Sequence, residues 1–168
     1  MENTYAAVHG GKKESLEDVI KKYKSTVYGI ALTRLKNRDD ADDVFQEVFL
    51  TYWKKSPHFN SEEHRKAWLI NTAVNCSKKL YGKNRRFYSE IETEEPVYTF
   101  ESDGDTALYT VIMSLPEEYR TVIYLYYFED MTTKQIGKVL GVREGTVRMR
   151  LTRARNLLKA KTGGVEFD

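Results

Sequence analysis

The sequence predicts an all-α protein built as two small helical domains joined by a flexible acidic linker. Three observations carry that prediction. Apolar residues recur with helical period in both halves, a polar and acidic stretch without period separates them, and no alternating run is long enough to make a useful strand. After a first segment, residues 1–14, expected to be disordered, Ser15 opens a helix whose face is traced by Leu16, Val19, Ile20, Tyr23, Val27, Ile30, Ala31 and Leu35. Asn37 can cap a second helix, and Asp39 and Asp40 suit the positive end of its dipole. Its apolar face runs through Ala41, Val44, Phe45, Val48, Phe49, Tyr52 and Trp53. Ser56-Pro57 ends it, because proline disfavours a helical residue before it. A polar loop to Glu63 precedes a third helix marked by Trp68, Leu69, Ala73, Cys76 and Leu80. These elements, residues 15–86, can bury their stripes as a bundle of three to four helices.

Residues 87–104 contain Pro96, a run of glutamates and Ser102-Asp103-Gly104, and read as the linker. The second domain, 105–162, begins with Leu108, Val111, Ile112 and Leu115. Its next helix starts at Pro116, with Glu117 and Glu118 in the first turn and Tyr119, Val122, Ile123 and Tyr126 on the apolar side. Thr132 caps a short helix to Leu140, with Gln135 as its capping-box partner. Gly141 supplies the left-handed position of a sharp turn, since glycine has no Cβ to clash there. The last helix carries Arg143, Arg148, Arg150, Arg153, Arg155, Lys159 and Lys161 against one acid, Glu144, while Val147, Leu151, Ala154 and Leu158 form a single packing stripe. A buried stripe backed by a cationic face, in the second helix of a helix-turn-helix, is what entry into a DNA major groove requires.

Composition narrows the function classes. The formal net charge of +2 hides segregation into blocks. Asp39, Asp40, Asp42, Asp43 and Glu47 are acidic; Arg65 to Arg86 carries only positive charges; Phe87 to Asp105 carries only negative ones; the last helix is basic again. Such alternation suits separate surfaces for separate partners. No window approaches the roughly 18 apolar residues of a membrane span, so no membrane insertion is expected, and residues 1–13 lack the apolar core of a signal peptide. One cysteine excludes an internal disulfide, and three scattered histidines have no zinc-ligand spacing. A reducing, cytoplasmic setting is therefore expected, with no cofactor, no metal and no catalytic constellation.

The order of these pieces resembles the sigma-70 family of bacterial RNA polymerase sigma factors, and within it the extracytoplasmic-function group. Asn37-Arg38-Asp39-Asp40-Ala41-Asp42-Asp43-Val44-Phe45-Gln46-Glu47-Val48-Phe49 and the helix Lys66-Ala67-Trp68-Leu69-Ile70-Asn71-Thr72-Ala73-Val74-Asn75 are similar to the family's region 2. Leu115-Pro116-Glu117-Glu118-Tyr119-Arg120 and Gly141 to Arg155 look like region 4. Two departures stand out: the family usually has proline where Arg143 stands and alanine where Gly137 stands. The resemblance implies a specificity subunit that binds core RNA polymerase through the β′ clamp helices and the β flap. It also implies recognition of the −35 and −10 promoter elements, help with melting the DNA, and restraint by an anti-sigma factor.

The same resemblance assigns roles to residues. Arg148, Met149, Thr152 and Arg153 would face the −35 bases, and the chemistry agrees, because an arginine can bridge guanine O6 and N7 with two hydrogen bonds. Thr146 and Arg150 would hold phosphates, which fix register without reading sequence, and Arg143, a departure from the family, would add a phosphate contact of its own. For the −10 element, read as single-stranded DNA, Asn75 and Phe59 offer an amide for a base edge and a wall for its face, with Asn71 a further candidate and Lys78 and Lys79 placed for the backbone. Phe59 suits core packing almost equally, and Trp68 is expected in the core. Asp43, Gln46 and Glu47, at i, i+3 and i+4, share one helix face that the resemblance assigns to the clamp helices. Paired carboxylates also occur in acid–base and metal sites, but no further ligands accompany these. The competing reading is a stand-alone helix-turn-helix regulator. The Asp43-Gln46-Glu47 face and the Trp68-to-Asn75 helix, which a free repressor has no reason to carry, separate the two.

Overall fold

A computed structural model describes residues 14–83 and 103–164. The expected N-terminal segment up to residue 13 and the expected linker from 87 to 102 lie outside the described residues. The first three helices form as the periodicity requires. Helix α1 spans Leu16–Leu35, and Ser15 and Asp18 exchange hydrogen bonds in a full capping box. It ends where Lys36 enters the left-handed region, φ 54°. Helix α2 spans Arg38–Lys55, with the Asn37 side chain accepting from the Asp40 N–H at 3.0 Å. Helix α3 spans Glu62–Lys83. It starts inside the expected loop, because the Ser61 hydroxyl accepts from the His64 N–H and supplies a cap there.

The three helices pack pairwise around Val19, Val27, Ile30, Val44, Val48, Leu69, Ile70 and Val74, all buried. One expectation fails at the edge of α2: Trp53, placed on the apolar stripe, is 41% exposed. Ala41, Val44, Val48, Phe49 and Tyr52 already fill the arc facing the bundle. Trp53 falls at its rim, where nothing in the bundle covers it completely.

The second unit consists of α4 (Asp103–Met113), α5 (Glu117–Ile123), α6 (Thr133–Leu140) and α7 (Glu144–Lys161). Helix α4 begins at Asp103, so the last two residues expected in the linker are helical. Beyond α5 the backbone widens into a π-type turn over Tyr124–Phe128, a feature the periodicity did not indicate. The helix-turn-helix forms as expected. Thr132 and Gln135 make the capping box, Gly141 adopts φ 67°, and Val147, Leu151, Ala154 and Leu158 of α7 are all buried.

Gly137 has a steric reason to be glycine. A Cβ there would lie 2.9 Å from the Val142 carbonyl oxygen, so the chain after the turn folds closer to α6 than alanine allows. Alanine would gain about 1 kcal/mol of helix propensity. The backbone shift it forces should outweigh that gain. Gly137→Ala is expected to lower Tm by roughly 3 °C in thermal circular dichroism, corresponding to about 1 kcal/mol net.

The two units share one continuous core, and charged side chains are buried where they meet. The Arg120 guanidinium of α5 reaches the C-terminal end of α1. Its Nε donates to the Thr33 carbonyl, its Nη2 to the Arg34 carbonyl at 3.0 Å, and its Nη1 to the Leu115 carbonyl at 2.7 Å. Carbonyls at a helix C-terminus lack intrahelical donors, so a cation is favoured there. Burial still pulls the Arg120 pKa down to about 10, with Glu117 opposing the shift. Arg34 pairs with Glu117 at 2.6 Å and donates to the Thr121 hydroxyl at 3.3 Å. Further along the seam, Glu129 is 7% exposed and accepts from Thr26 (3.2 Å), Tyr124 (3.2 Å) and Lys66 (3.1 Å). Gly29 of α1 makes room for the Tyr124 ring: a Cβ there would lie 1.9 Å from the Tyr124 hydroxyl oxygen.

Candidate functional site

Helix α7 is set against the rest of its unit by the buried stripe, and that fixes which residues remain outside. Arg143, Arg148, Met149, Thr152 and Arg153 are exposed, and Met149 keeps 43% of its surface despite being apolar. Thr146 is half-buried at the start of the helix. Arg148 is held rather than waving. Glu144 Oε1 accepts from Arg148 Nη2 at 2.7 Å and from the Thr133 hydroxyl at 2.7 Å, which ties α7 to α6. The Thr133 hydrogen bond, with the Arg148 charge adding to it, holds the Glu144 carboxyl below the usual range. Arg150 differs from its expected surroundings. Its Nη2 lies 3.3 Å from Glu118 Oε2 of α5, and its side chain is 22% exposed. Arg155 is turned inward as well, donating to the Tyr127 hydroxyl at 2.8 Å beneath the rings of Tyr126 and Tyr127.

On α3, Asn71, Asn75, Lys78 and Lys79 are exposed and share a side of the helix through i+4 and i+3/i+4 spacing. Lys78 Nζ lies 3.4 Å from the Leu140 carbonyl, at the end of α6. Phe59 is half-buried in an aromatic cluster. It stacks on Tyr52 with centroids 6.1 Å apart, meets Trp68 at 5.9 Å, and has the Arg65 guanidinium 5.8 Å from its ring. Of the two roles open to Phe59, the packing role is thus already filled. Trp68 is half-buried in the same cluster.

Asp43, Gln46 and Glu47 are exposed together on α2, and the structure extends their face. Leu50, 43% exposed, and Trp53 follow at i+7 and i+10 from Asp43. The sequence reading missed this continuation, because Trp53 fits the helical period of the core and Leu50, off that period, is a single apolar residue in the acidic face. The signal available was their excess: α2 holds more apolar side chains than one buried arc needs. Among the described residues no group of His, Cys, Asp and Glu has the arrangement of a metal site, and no helix is long and apolar enough to cross a membrane.

An exposed cationic face on α7, an exposed face of amides and lysines on α3 and an acidic–apolar face on α2 thus lie on two helical units. The family models for Sigma-70 region 2 and Sigma-70, region 4 match residues 19–87 and 105–158 respectively. The chain belongs to the sigma-70 family, in its extracytoplasmic-function group. It is 30% identical to the ECF RNA polymerase sigma-E factor of Haemophilus influenzae over 172 residues, covering 92% of this chain and 90% of that one. It is 31% identical to the RNA polymerase sigma factor SigV of Bacillus subtilis over 150 residues, covering 88% and 90%. Among solved structures, the sigma factor RpoE of Bartonella quintana, in complex with the anti-sigma factor NepR, superposes with TM-score 0.71 over 88% of this chain and 96% of that one at 18% identity, a likeness of fold. As a sigma factor the chain is a transcription initiation factor and not an enzyme: it binds core RNA polymerase and promoter DNA, and bond-making belongs to the polymerase. The stand-alone regulator reading finds no support in these matches.

Proposed function

We propose how this sigma factor divides its work among the three faces. Arg148, Met149, Thr152 and Arg153 on α7 read the −35 bases, while Arg143 and Thr146 at its start hold phosphates. Arg150 contributes to phosphate binding only if it leaves Glu118, and in its present pairing it braces α7 against α5. On α3, Asn75 and Asn71 take the edges of unpaired −10 bases and Lys78 and Lys79 follow the backbone, with Phe59 supporting the wall of that site. Asp43, Gln46 and Glu47, continued by Leu50 and Trp53, grip the β′ clamp helices, and the region 4 unit meets the β flap. Residues 15–86 and 103–162 form the two working units, and the residues between them the linker.

The observation that carries this reading is the exposed α2 face, an acidic patch running directly into Leu50 and Trp53. Large apolar side chains left outside beside charges are what a protein-docking surface provides. The place of action is the cytoplasm, where core polymerase works. The Bartonella quintana structure contains an anti-sigma factor, and a comparable restraint is proposed for this chain. Run-off transcription with purified core polymerase and genomic fragments tests the reading. Discrete transcripts that need both core and this chain are expected. Tight binding of the free chain to duplex operators, with no core-dependent transcript, would contradict it.

A further inference from the structure

Glu144 is the one acid on α7, and binding to DNA gives it no obvious task. A carboxylate in the first turn suits the positive end of the helix dipole, yet beside a phosphate-binding face it weakens attraction to DNA. Its contacts go beyond what a dipole needs. One oxygen, Oε1, accepts from Arg148 one turn along α7 and from the Thr133 hydroxyl at the start of α6. Gly137 brings the second partner within reach. A Cβ there would lie 2.9 Å from the Val142 carbonyl oxygen and 3.5 Å from the Glu144 nitrogen, so only glycine lets α7 start this close to α6. Arg148 meanwhile keeps 68% of its side chain exposed. The bond to Glu144 uses one of five guanidinium N–H donors, and those remaining can still bridge O6 and N7 of a guanine. An unheld arginine beside a duplex has charged phosphate oxygens as competing acceptors. Here the carboxylate grips the guanidinium and repels such oxygens. Exposed ion pairs usually hold loosely, but Thr133 fixes this carboxylate from a second helix, which leaves less rotamer freedom to lose when DNA arrives. Arg153, the other arginine assigned to base reading, is exposed and has no ion pair among the described residues.

We propose that Glu144 is a positioning residue for base reading: anchored by Thr133 on α6, it holds the Arg148 guanidinium toward a −35 base edge and away from the phosphates. Glu144 acts through Arg148 and lowers general attraction to DNA while sharpening the choice of base. Gly137 serves the same end by setting the approach of the two helices. The base pair met by Arg153 is read without this brace. The inference rests on the assignment of Arg148 to the −35 bases, and the experiment separates the two.

The test compares base preferences of the full chain on core polymerase. Transcription is measured on templates substituted base by base through the −35 element, and binding to a duplex without the element gives general affinity. Arg148→Ala and Arg153→Ala mark the position that each arginine reads. Glu144→Ala should lower discrimination at the Arg148 position about three- to tenfold and leave the Arg153 position unchanged. It should also raise affinity for the unrelated duplex about twofold, because a negative charge is removed. Glu144→Gln keeps an acceptor oxygen and should restore part of the lost discrimination. Thr133→Val changes no charge and should lower discrimination at the Arg148 position about two- to threefold. Gly137→Ala should act in the same direction with Thr133, Glu144 and Arg148 all in place. A misfolded unit would instead lose discrimination at both positions together with general binding. Discrimination at the Arg148 position that survives Glu144→Ala, or that falls equally at the Arg153 position, overturns the proposal. If Arg148→Ala itself changes no base preference, the assignment of Arg148 to base reading fails, and the positioning role falls with it.

Discussion

Initiation by an Arg153→Ala variant is expected to fall by roughly tenfold to a hundredfold on its own promoters, with its preference at one −35 position relaxed. An arginine bridging a guanine edge contributes about 1–3 kcal/mol of discrimination, and alanine removes both hydrogen bonds without touching the phosphate contacts. Arg153 is exposed on α7, one turn beyond Met149 and in register with it, so its loss should not disturb the buried Val147–Leu158 stripe. The outcome separates reading from simple attraction. A phosphate-contacting cation would weaken binding on all sequences alike and lower the dependence on salt, whereas a reading arginine changes which base is preferred at one position. Transcription from a set of templates substituted base by base through the −35 element, measured with the parent and the variant side by side, distinguishes these results. Uniform loss on every template would remove Arg153 from the reading set.

A larger effect is expected from Glu47→Lys on α2. Glu47 lies in the exposed acidic patch that continues into Leu50 and Trp53. Reversing its charge replaces an attraction with a repulsion beside an apolar docking face, and losing one partner of a charge pair that docking buries costs about 2–5 kcal/mol. Association with core polymerase should weaken by roughly a hundredfold or more, as read by fluorescence anisotropy of the labelled chain. The exposed position should leave Tm within about 1 °C of the parent. The binding of the isolated chain to DNA should also be unchanged, which makes the loss specific to the polymerase surface. Equal affinity for core in the parent and the variant would contradict the proposed docking face.

Local rules of helix formation made most of the fold legible. Ser15, Asn37, Thr132 and Gly141 act as caps and turns because their roles depend on atoms three or four residues away. The buried stripe of α7 is equally local, fixed by period alone. What the sequence hid depends on distant partners. Lys66 and Glu129 are 63 residues apart in the chain, and nothing near either one announces that they meet. Arg120 stands in a family motif, but its reach to the end of α1 is a property of packing between units. The widened turn at Tyr124–Phe128 was hidden because its aromatic run reads as an ordinary continuation of α5. Exposed Trp53 was hidden for the opposite reason, since its period fits a core that is already full, and Leu50 because it stands off that period as one apolar residue on the acidic face. Arg150 was expected as a cation facing DNA and is instead engaged with Glu118, a partner two helices away in the chain.

The central claim is that one chain reads two separated promoter elements while seated on core polymerase, and its most direct test is the dependence of transcription on the spacing of those elements. On a mapped promoter, yield with core polymerase should peak at one spacer length. It should collapse when about five base pairs, half a helical turn, are added, because the −35 element then rotates to the far side of the duplex from the α7 face. Yield that stays flat across such a series, or a free chain that protects both elements in the absence of core, would contradict it.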